Sequence, residues 1–553
     1  MFLQSFASNI HNKYIYKSSV KSIIIKDRTQ AEEFVVQAYQ HGVDTPKKLQ
    51  KMKKRFAAEH GRSPFANIEL ISAYRALIAK GEMQEDRDFW KILRKRGVRS
   101  HSGIANITVI TKGFPCPGKC IFCPTEPKMP KSYLSNEPAI MRAILNDFDA
   151  YKQTLNRVQS LQKTGHFTDK IDVIISGGTW SFYPKRYQTD FVRGIFNALN
   201  APAEKARSLE EAQKINETAG NRCIGLSMET RPDHITEDEL RRLRRLGCTK
   251  IEIGVQSLND EILKMNRRGH GIAETKRAIQ LIRDAAYKIN CHMMPNLYGS
   301  NPEIDYEDMV ELFENPAYRP DWLKIYPCMV VPWSQLERIY KKGEHRTYTD
   351  EELVELMCKV KPLIPEYCRI TRLIRDIPAP SIVGGSTVSN LRQIIHQEME
   401  KRGLECRCIR CRQVKEEKVY LDQVEMRVKE FEASEGQEFF ISFDDVKRDK
   451  LCSLLRLRFS SYSLQGKKHF IPELEGAALV REVHAYGEQV KVDGGLDGAS
   501  QHIGLGRQMM QKAEEISRKN GYKKIAVISG IGVREYYRKL GYHLEGTYMV
   551  KKI

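Results

Sequence analysis

Acidic residues are in short supply: 70 Asp and Glu face 90 Lys and Arg, and the 553-residue chain carries +20 at neutral pH. A surface so short of negative charge attracts polyanions through counterion release, and the obvious partner is RNA or DNA. The excess is also clustered, with Lys47, Lys48, Lys51, Lys53, Lys54, Arg55 and Arg62 all between His41 and Arg62. Long apolar runs are missing too. No stretch approaches the roughly 20 residues that a membrane-spanning helix needs. Nor does the start of the chain show a basic segment followed by an apolar one and a cleavage site, so no secretion signal is expected and a cytoplasmic location is. Internal repeats and low-complexity segments are absent, which leaves ordinary globular domains, two or three of them at this length. Disulfide patterning is lacking as well. Of thirteen cysteines, seven are scattered singly and six form two short clusters with ligand-like spacing, a distribution that suits a reducing compartment.

The first cluster is the most informative stretch. Cys116, Cys120 and Cys123 stand in a CxxxCxxC loop with Phe122 before the last cysteine. Three thiolates can hold a 4Fe-4S cluster and leave its fourth iron without a protein ligand, open to S-adenosylmethionine. The competing reading is a zinc knuckle, which needs a fourth Cys or His close by. None occurs between Thr108 and Ser135.

The region from Ala31 to Arg94 reads as basic and helical, with Val35, Val36, Tyr39, Leu49 and Met52 on apolar faces. We expect a helical extension over residues 1–95 that binds nucleic acid. Short β-branched runs then alternate with helical stretches: Ile107 to Thr111, Ile171 to Ser176, Cys223 to Met228, Lys250 to Val255, Ile289 to Met294 and Leu323 to Tyr326. The pattern predicts an α/β fold, a partial barrel of six parallel strands over residues 96–365, with the cysteine loop at the carboxyl end of the first.

Polar residues recur at that same end of later strands. Gly177 and Gly178 would let a ligand approach the backbone closely, or simply form a tight turn. Glu229 and Arg231 suit a ribose hydroxyl and a methionine carboxylate, though a surface ion pair would read the same. Gln256, His292 and Lys324 follow on the next strands. His292 fits a satisfied core histidine as well, and Lys324, a catalytic candidate, an outer-face lysine.

Residues 366–445 read as a linker. Cys406, Cys408 and Cys411 offer three thiolates for a structural zinc, with His396, Cys368 or water as candidate fourth ligands, or remain reduced thiols beside an arginine patch. From 446 to 553 the pattern is that of a smaller α+β domain. Gln501, Gly504 and Gly506 form a Q/RxxGxG pattern opening a helix, which exposes backbone amides to a pyrophosphate. The strand ending at Ser529 and the pair Tyr536-Tyr537 complete the element order of a GNAT-type acyl-CoA-binding domain. One tyrosine is a candidate to protonate a departing thiolate and the other a core aromatic. Glu482 and His484, two apart on one strand, are a candidate base and relay or solvent-facing residues.

A cysteine loop of this kind followed by such a tail resembles the catalytic subunit of Elongator, a tRNA-modifying family. Matching stretches include Ile174 to Thr179, Met228 to Asp233, Ile251 to Ser257, His292 to Pro295, Leu323 to Pro327 and Val527 to Gly530 with Tyr536-Tyr537. The resemblance implies a transferase that cleaves S-adenosylmethionine at the cysteine loop and holds acetyl-CoA in the tail. It also implies a carboxymethyl-type group placed on C5 of the wobble uridine of tRNA, with an electron donor for the cluster. The expected chemistry is hydrogen removal from the acetyl methyl, addition of the carbon radical to C5, and thioester hydrolysis. Basic N-terminal helices and the Arg369 to Arg375 region would seat the tRNA anticodon stem-loop. Eukaryotic members space the first two cysteines further apart and lack the Cys406, Cys408, Cys411 triplet. The chain is more similar to the bacterial, archaeal or viral type, expected to work without other Elongator subunits. A homodimer stays open. The rival readings are a protein lysine acetyltransferase with a structural iron domain, and an RNA-binding scaffold.

Overall fold

The computed structural model describes residues 28–94, 103–201, 205–415, 417, 419–487 and 504–553. The chain divides into two units, residues 1–99 with 158–167, and residues 100–157 with 168–553.

The first unit is helical as expected, with helices Arg28–Gln40, Pro46–Glu59, Asn67–Ala79 and Arg87–Leu93. Thr45 caps the second through Lys48 N, and Asp86 caps the fourth through the backbone amides of Asp88 and Phe89, supplying acceptors that the first turn lacks. Val35, Leu49 and Met52 are buried with Phe34, Phe56, Phe65, Tyr74 and Phe89, and Val36 packs against them. Tyr39 is instead exposed at its edge, its ring 5.3 Å from that of Phe89. One member of the basic cluster is also misplaced by the sequence pattern. Lys53 is buried and donates to Asn67 Oδ1 at 2.8 Å, and burial lowers its pKa. Lys47, Lys51 and Lys54 remain on the exposed side of the same helix.

The second unit holds two sheets. The first is wholly parallel, in spatial order β1 (Ala105–Ile110), β2 (Lys170–Ser176), β3 (Arg222–Thr230), β4 (Lys250–Gln256), β5 (Lys288–Met293), β6 (Trp322–Ile325) and β7 (Arg369–Arg372). Every neighbouring pair is joined in parallel register, for instance Ile251 opposite Ile289. Helices cover the connections, so strands such as β4 are buried along nearly their whole length, which is why they read as apolar runs. The sheet has seven strands where six were expected. The seventh, Arg-Ile-Thr-Arg, is short and flanked by charge, so it lacks the apolar run that marks the others, and it lies in the stretch read as linker.

The second sheet is mixed, in spatial order β13-β14-β12-β11-β10-β9-β8, where β8 is Val424–Ala433, β9 Gly436–Asp445, β10 Lys450–Phe459, β11 Ala478–Ala485, β12 Lys524–Val527, β13 His543–Glu545 and β14 Tyr548–Lys552. Within it β11 and β12 run parallel only from Ala478 opposite Ile525 to Val480 opposite Val527. Beyond Val480 the first continues to Ala485 paired with β10, while β12 ends at Val527. The helix Leu505–Lys519 lies between them in sequence.

Buried charge joins the two sheets. Arg458 meets Asp284 at 2.6 Å and Glu438 at 3.1 Å, Arg481 meets Asp321 and Glu438, Arg456 meets Glu482 at 2.9 Å, and Arg283 meets Glu438 at 3.0 Å. All eight groups are almost fully excluded from water. Charges so placed are tolerable only because each has partners, and removing one leaves another stranded. Backbone packing is equally close. A Cβ on Gly530 would lie 2.1 Å from Ile224 O of β3, so glycine alone fits where the second sheet's loop meets the first sheet. Among the described residues no helix is long and apolar enough to cross a membrane.

Candidate active site

The cysteine loop follows β1, at the carboxyl ends of the parallel strands. Cys120 is buried, while Cys116 and Cys123 are half-buried. Gly118 N donates to Cys116 Sγ at 3.4 Å, and Cys116 Sγ lies 3.5 Å from Thr179 Oγ1, directly after Gly177-Gly178. The loop and the glycine pair are thus neighbours. Both glycines have left-handed backbones (φ 139° and 105°), and a Cβ on Gly177 would collide with Thr111 Oγ1.

Two guanidinium groups face Cys120. Arg268 NH1 is 3.4 Å from its sulfur and Arg231 NH1 3.9 Å. The hydrogen bond from Cys123, reinforced by the charges of Arg268 and Arg231, pulls the Cys120 thiol down to about 5 against the effect of burial. Arg231 therefore does not stand open to a carboxylate as its place in the sequence suggested. Asp233 holds it in a fork, Nε to Oδ1 at 2.9 Å and NH2 to Oδ2 at 2.8 Å.

The three loop sulfurs also differ in spread from the second cluster. Among the described residues, the one trio of potential metal ligands whose donor atoms all converge within 4.8 Å is Cys406, Cys408 and Cys411. Four ligands around one zinc at ~2.3 Å must crowd in that way, whereas ligands to a four-iron cluster bind separate irons and stand apart. The donor sets fit a cluster at Cys116, Cys120 and Cys123, and a single ion at the other trio. His396 and Cys368 lie outside the converging set, and Lys361 Nζ is 3.9 Å from Cys411 Sγ.

Across the mouth runs a chain of ionisable groups. Tyr133 OH donates to Glu229 Oε2 at 3.0 Å, His292 Nδ1 lies 3.8 Å from Glu229 Oε1, and His292 Nε2 lies 3.2 Å from Glu252 Oε2. Lys324 closes the chain with an ion pair to Glu252. Burial would raise the Glu252 carboxyl, but the Lys324 charge and the His292 hydrogen bond hold it well below the usual range. Lys324 is in turn pushed above its ordinary value by Glu252, against burial. His292 is thus a buried, paired histidine, and Lys324 faces the interior. Gln256 ends β4 at φ 78°, with Oε1 buried and without a hydrogen-bond partner. An orphaned acceptor in a strained residue marks a place where a ligand donor is missing.

After β11, Gly504 has a left-handed backbone (φ 76°) and caps the helix Leu505–Lys519, a cap residue that itself offers no side chain to the first amides. Tyr536 OH packs so closely that a Cβ on Gly506 would meet it at 2.9 Å. Tyr537 is buried, its ring 6.0 Å from that of Tyr542. Ser529 Oγ is buried with no partner. The glycine-capped helix start and the unpartnered hydroxyl fit an acyl-CoA. Gln501 lies outside the described residues. Glu482 is neither base nor solvent-facing, because it is buried against Arg456. His484 stacks on Tyr486 at 4.1 Å.

The structure brings in residues that sequence reasoning missed: Tyr133, Asp233, Glu252 and Arg268. Glu252 had a readable signal, a carboxylate inside the apolar run Ile251-Glu252-Ile253. Arg268 had none. Arg369 and Arg375, expected to face RNA, turn inward instead: Arg369 NH1 reaches Tyr486 OH at 3.4 Å, and Arg375 pairs with Glu137 at 2.8 Å.

The model of the Radical SAM superfamily matches residues 110–313 and that of the Radical_SAM C-terminal domain residues 320–401. A tRNA uridine(34) acetyltransferase of Methanocaldococcus infernus is 44% identical over 487 residues, 85% of this chain and 89% of that one. Elongator complex protein 3 of Danio rerio is 36% identical over 542 residues, 94% of this chain and 95% of its own. The chain belongs to the Elongator complex protein 3 family. A solved archaeal family member, the Methanocaldococcus infernus Elp3 with an N-terminal deletion, superposes with a TM-score of 0.71 at 39% identity, covering 82% of this chain and 100% of that one. Family membership brings the radical SAM sheet and the mixed sheet under one heading, and with it a 4Fe-4S cluster, S-adenosylmethionine and acetyl-CoA as cofactors.

Proposed function

We propose that this enzyme modifies the wobble uridine, position 34, of tRNA, using S-adenosylmethionine radical chemistry and acetyl-CoA to install a carboxymethyl-type group on C5. The observation that carries the reading is the presence, in one unit, of a three-cysteine loop at the mouth of a parallel half-barrel and a glycine-capped helix in the mixed-sheet region that also holds the unpartnered Ser529 hydroxyl. Relatives named tRNA uridine(34) acetyltransferase support the substrate.

Bound at Cys116, Cys120 and Cys123, the cluster and S-adenosylmethionine supply the one-electron cleavage that makes an unreactive methyl C–H bond open to attack. The chain's own residues do the rest. Arg231 and Arg268 set two positive charges beside the Cys120 sulfur, which favours its thiolate as a ligand. Gly177 and Gly178 bare the backbone beside the loop, and Gln256 offers an unpaired acceptor to a hydroxyl or ammonium. Glu229, held by Tyr133 and facing His292, is placed for a ribose hydroxyl. Lys324 stays protonated through its ion pair with Glu252 and presents a cation at the mouth. In the second sheet the amides after Gly504 receive a pyrophosphate, Ser529 a pantetheine amide, and Tyr536 gives its proton to the leaving thiolate. Tyr537 acts as packing.

Cys406, Cys408 and Cys411 hold a structural zinc with a fourth ligand from outside the converging trio. The enzyme works in the cytoplasm, takes electrons from a separate donor and needs no other Elongator subunit. Anaerobic reconstitution with iron and sulfide tests the reading: 5'-deoxyadenosine should form only when tRNA and acetyl-CoA are both present. The same low yield without either would overturn it.

A further inference from the structure

Trp333 is the most open of the large apolar side chains among the described residues, 58% exposed. It sits in the segment that follows β6, on the side of the sheet where the cysteine loop and Lys324 lie. Its backbone is left-handed (φ 66°), a conformation that strains a bulky L-residue. The segment around it is nevertheless fixed. Trp333 O accepts from Thr125 N at 3.0 Å, two residues past Cys123. Ser334 Oγ donates to Val331 O at 2.7 Å and caps the next helix through Glu337 N at 3.2 Å, while Val331 and Leu336 are buried on either side. A large ring is thus presented to solvent by a rigid, strained clamp on the rim of the mouth. Beside it, exposed Arg267 reaches Gln335 Oε1 at 3.3 Å.

Strain in an exposed aromatic does nothing for folding, and in a functional rim it points to a ligand with a flat face. RNA loops are read by stacking unpaired bases on aromatic rings, with cations tracking the backbone. We propose that Trp333 is a stacking platform for an unpaired base of the anticodon loop next to the uridine that enters the mouth, with Arg267 on the adjoining phosphate. The proposal rests on the tRNA reading above.

The chain carries its own reporter. Of its four tryptophans, Trp90 and Trp180 are buried and Trp322 lies beneath Lys250 at 4.1 Å, so Trp333 is the indole open to acrylamide. Saturating full-length protein with a wobble-uridine anticodon stem-loop should shield its fluorescence from acrylamide, and a fully paired hairpin of equal length should not. W333A should bind the stem-loop about 5- to 150-fold more weakly, the range expected for one stacked base, and W333F should keep most of the affinity. If W333A binds as tightly as the parent, or if Trp333 stays open to acrylamide in the complex, the stacking role is wrong while the tRNA reading stands. Failure of the parent itself to bind the stem-loop would sink the tRNA reading instead. Shielding that rises with protein concentration and no RNA would assign the ring to contact between copies and also overturn the proposal.

Discussion

The hydroxyl of Tyr536 closes over Gly506, so near that a methyl group on that glycine would meet it at 2.9 Å. Burial raises the Tyr536 pKa, keeping the phenol protonated at neutral pH and available as an acid. Tyr537, next along the helix, is buried and edge-on to it at 5.1 Å. Tyr536→Phe should therefore slow acetyl-CoA turnover by roughly 10²- to 10⁴-fold with little change in folding, the range for a lost general acid. Tyr537→Phe should keep the rate within a few-fold. Measuring free CoA release for both variants separates the two, and equal losses would remove the distinction.

The two cysteine trios should respond differently to substitution. Cys116→Ala, Cys120→Ala or Cys123→Ala should lower iron content after reconstitution and abolish 5'-deoxyadenosine formation. Cys406→Ala should leave iron unchanged and lower zinc content and the urea midpoint, because the sulfurs of that trio converge on one point and do not include the loop cysteines. Metal analysis of all four variants checks this.

Much of the fold was legible because buried parallel strands write themselves as β-branched apolar runs, and six of the seven were read within a few residues of their ends. The seventh escaped because Arg369–Arg372 takes its place from the edge of β6 and not from its own composition. Glycine loops were legible too, since their spacing reports local geometry. What the sequence did not show was anything made by distant partners. Lys53 belongs by spacing to a cationic face, yet it turns inward to Asn67. Arg231 read as a partner for a ligand carboxylate or as half of a surface ion pair, whereas it is buried between Asp233 and the sulfur of Cys120. The pairing of Arg481 with Asp321, 160 positions away, has no local signature at all.

That buried network gives the enzyme an acid limit. Burial alone would raise Glu482 and Asp321, but the cations around them win: Lys288 and Arg456 hold Glu482 down to about 2, and Arg481, Arg456 and Arg283 hold Asp321 below the carboxylate range. A carboxyl whose pKa is lower folded than unfolded stabilises fully above its unfolded value, near 4.3 for Glu, and that contribution fades as pH falls toward the folded value. Urea midpoints should thus hold steady from neutral pH to about 4.5 and fall steeply below. Arg481→Met, which takes from Asp321 its nearest cation and leaves Glu438 with Arg458 and Arg283, should destabilise at pH 7 by about 3 kcal/mol and flatten the acid dependence. Arg481→Met with Asp321→Asn and Glu438→Gln should recover part of the loss.

The helix Pro46–Glu59 has two faces with opposite fates, and salt can tell them apart. Among the described residues, Lys47, Lys51 and Lys54 are exposed and make no ion pair, whereas Lys48 is held by Asp44 and Arg55 by Glu59. An unpaired exposed lysine keeps its full charge for a phosphate, and each phosphate neutralised adds about 0.7–0.9 to the slope of log affinity against log salt. Changing Lys47, Lys51 and Lys54 together to Gln should lower that slope for tRNA by about 2 and weaken binding most at low salt. Lys53→Met should leave the slope alone, because its ammonium is spent on Asn67 inside the helical unit. Filter-binding titrations across a salt series decide the matter. An unchanged slope in the triple variant would place the tRNA on another surface.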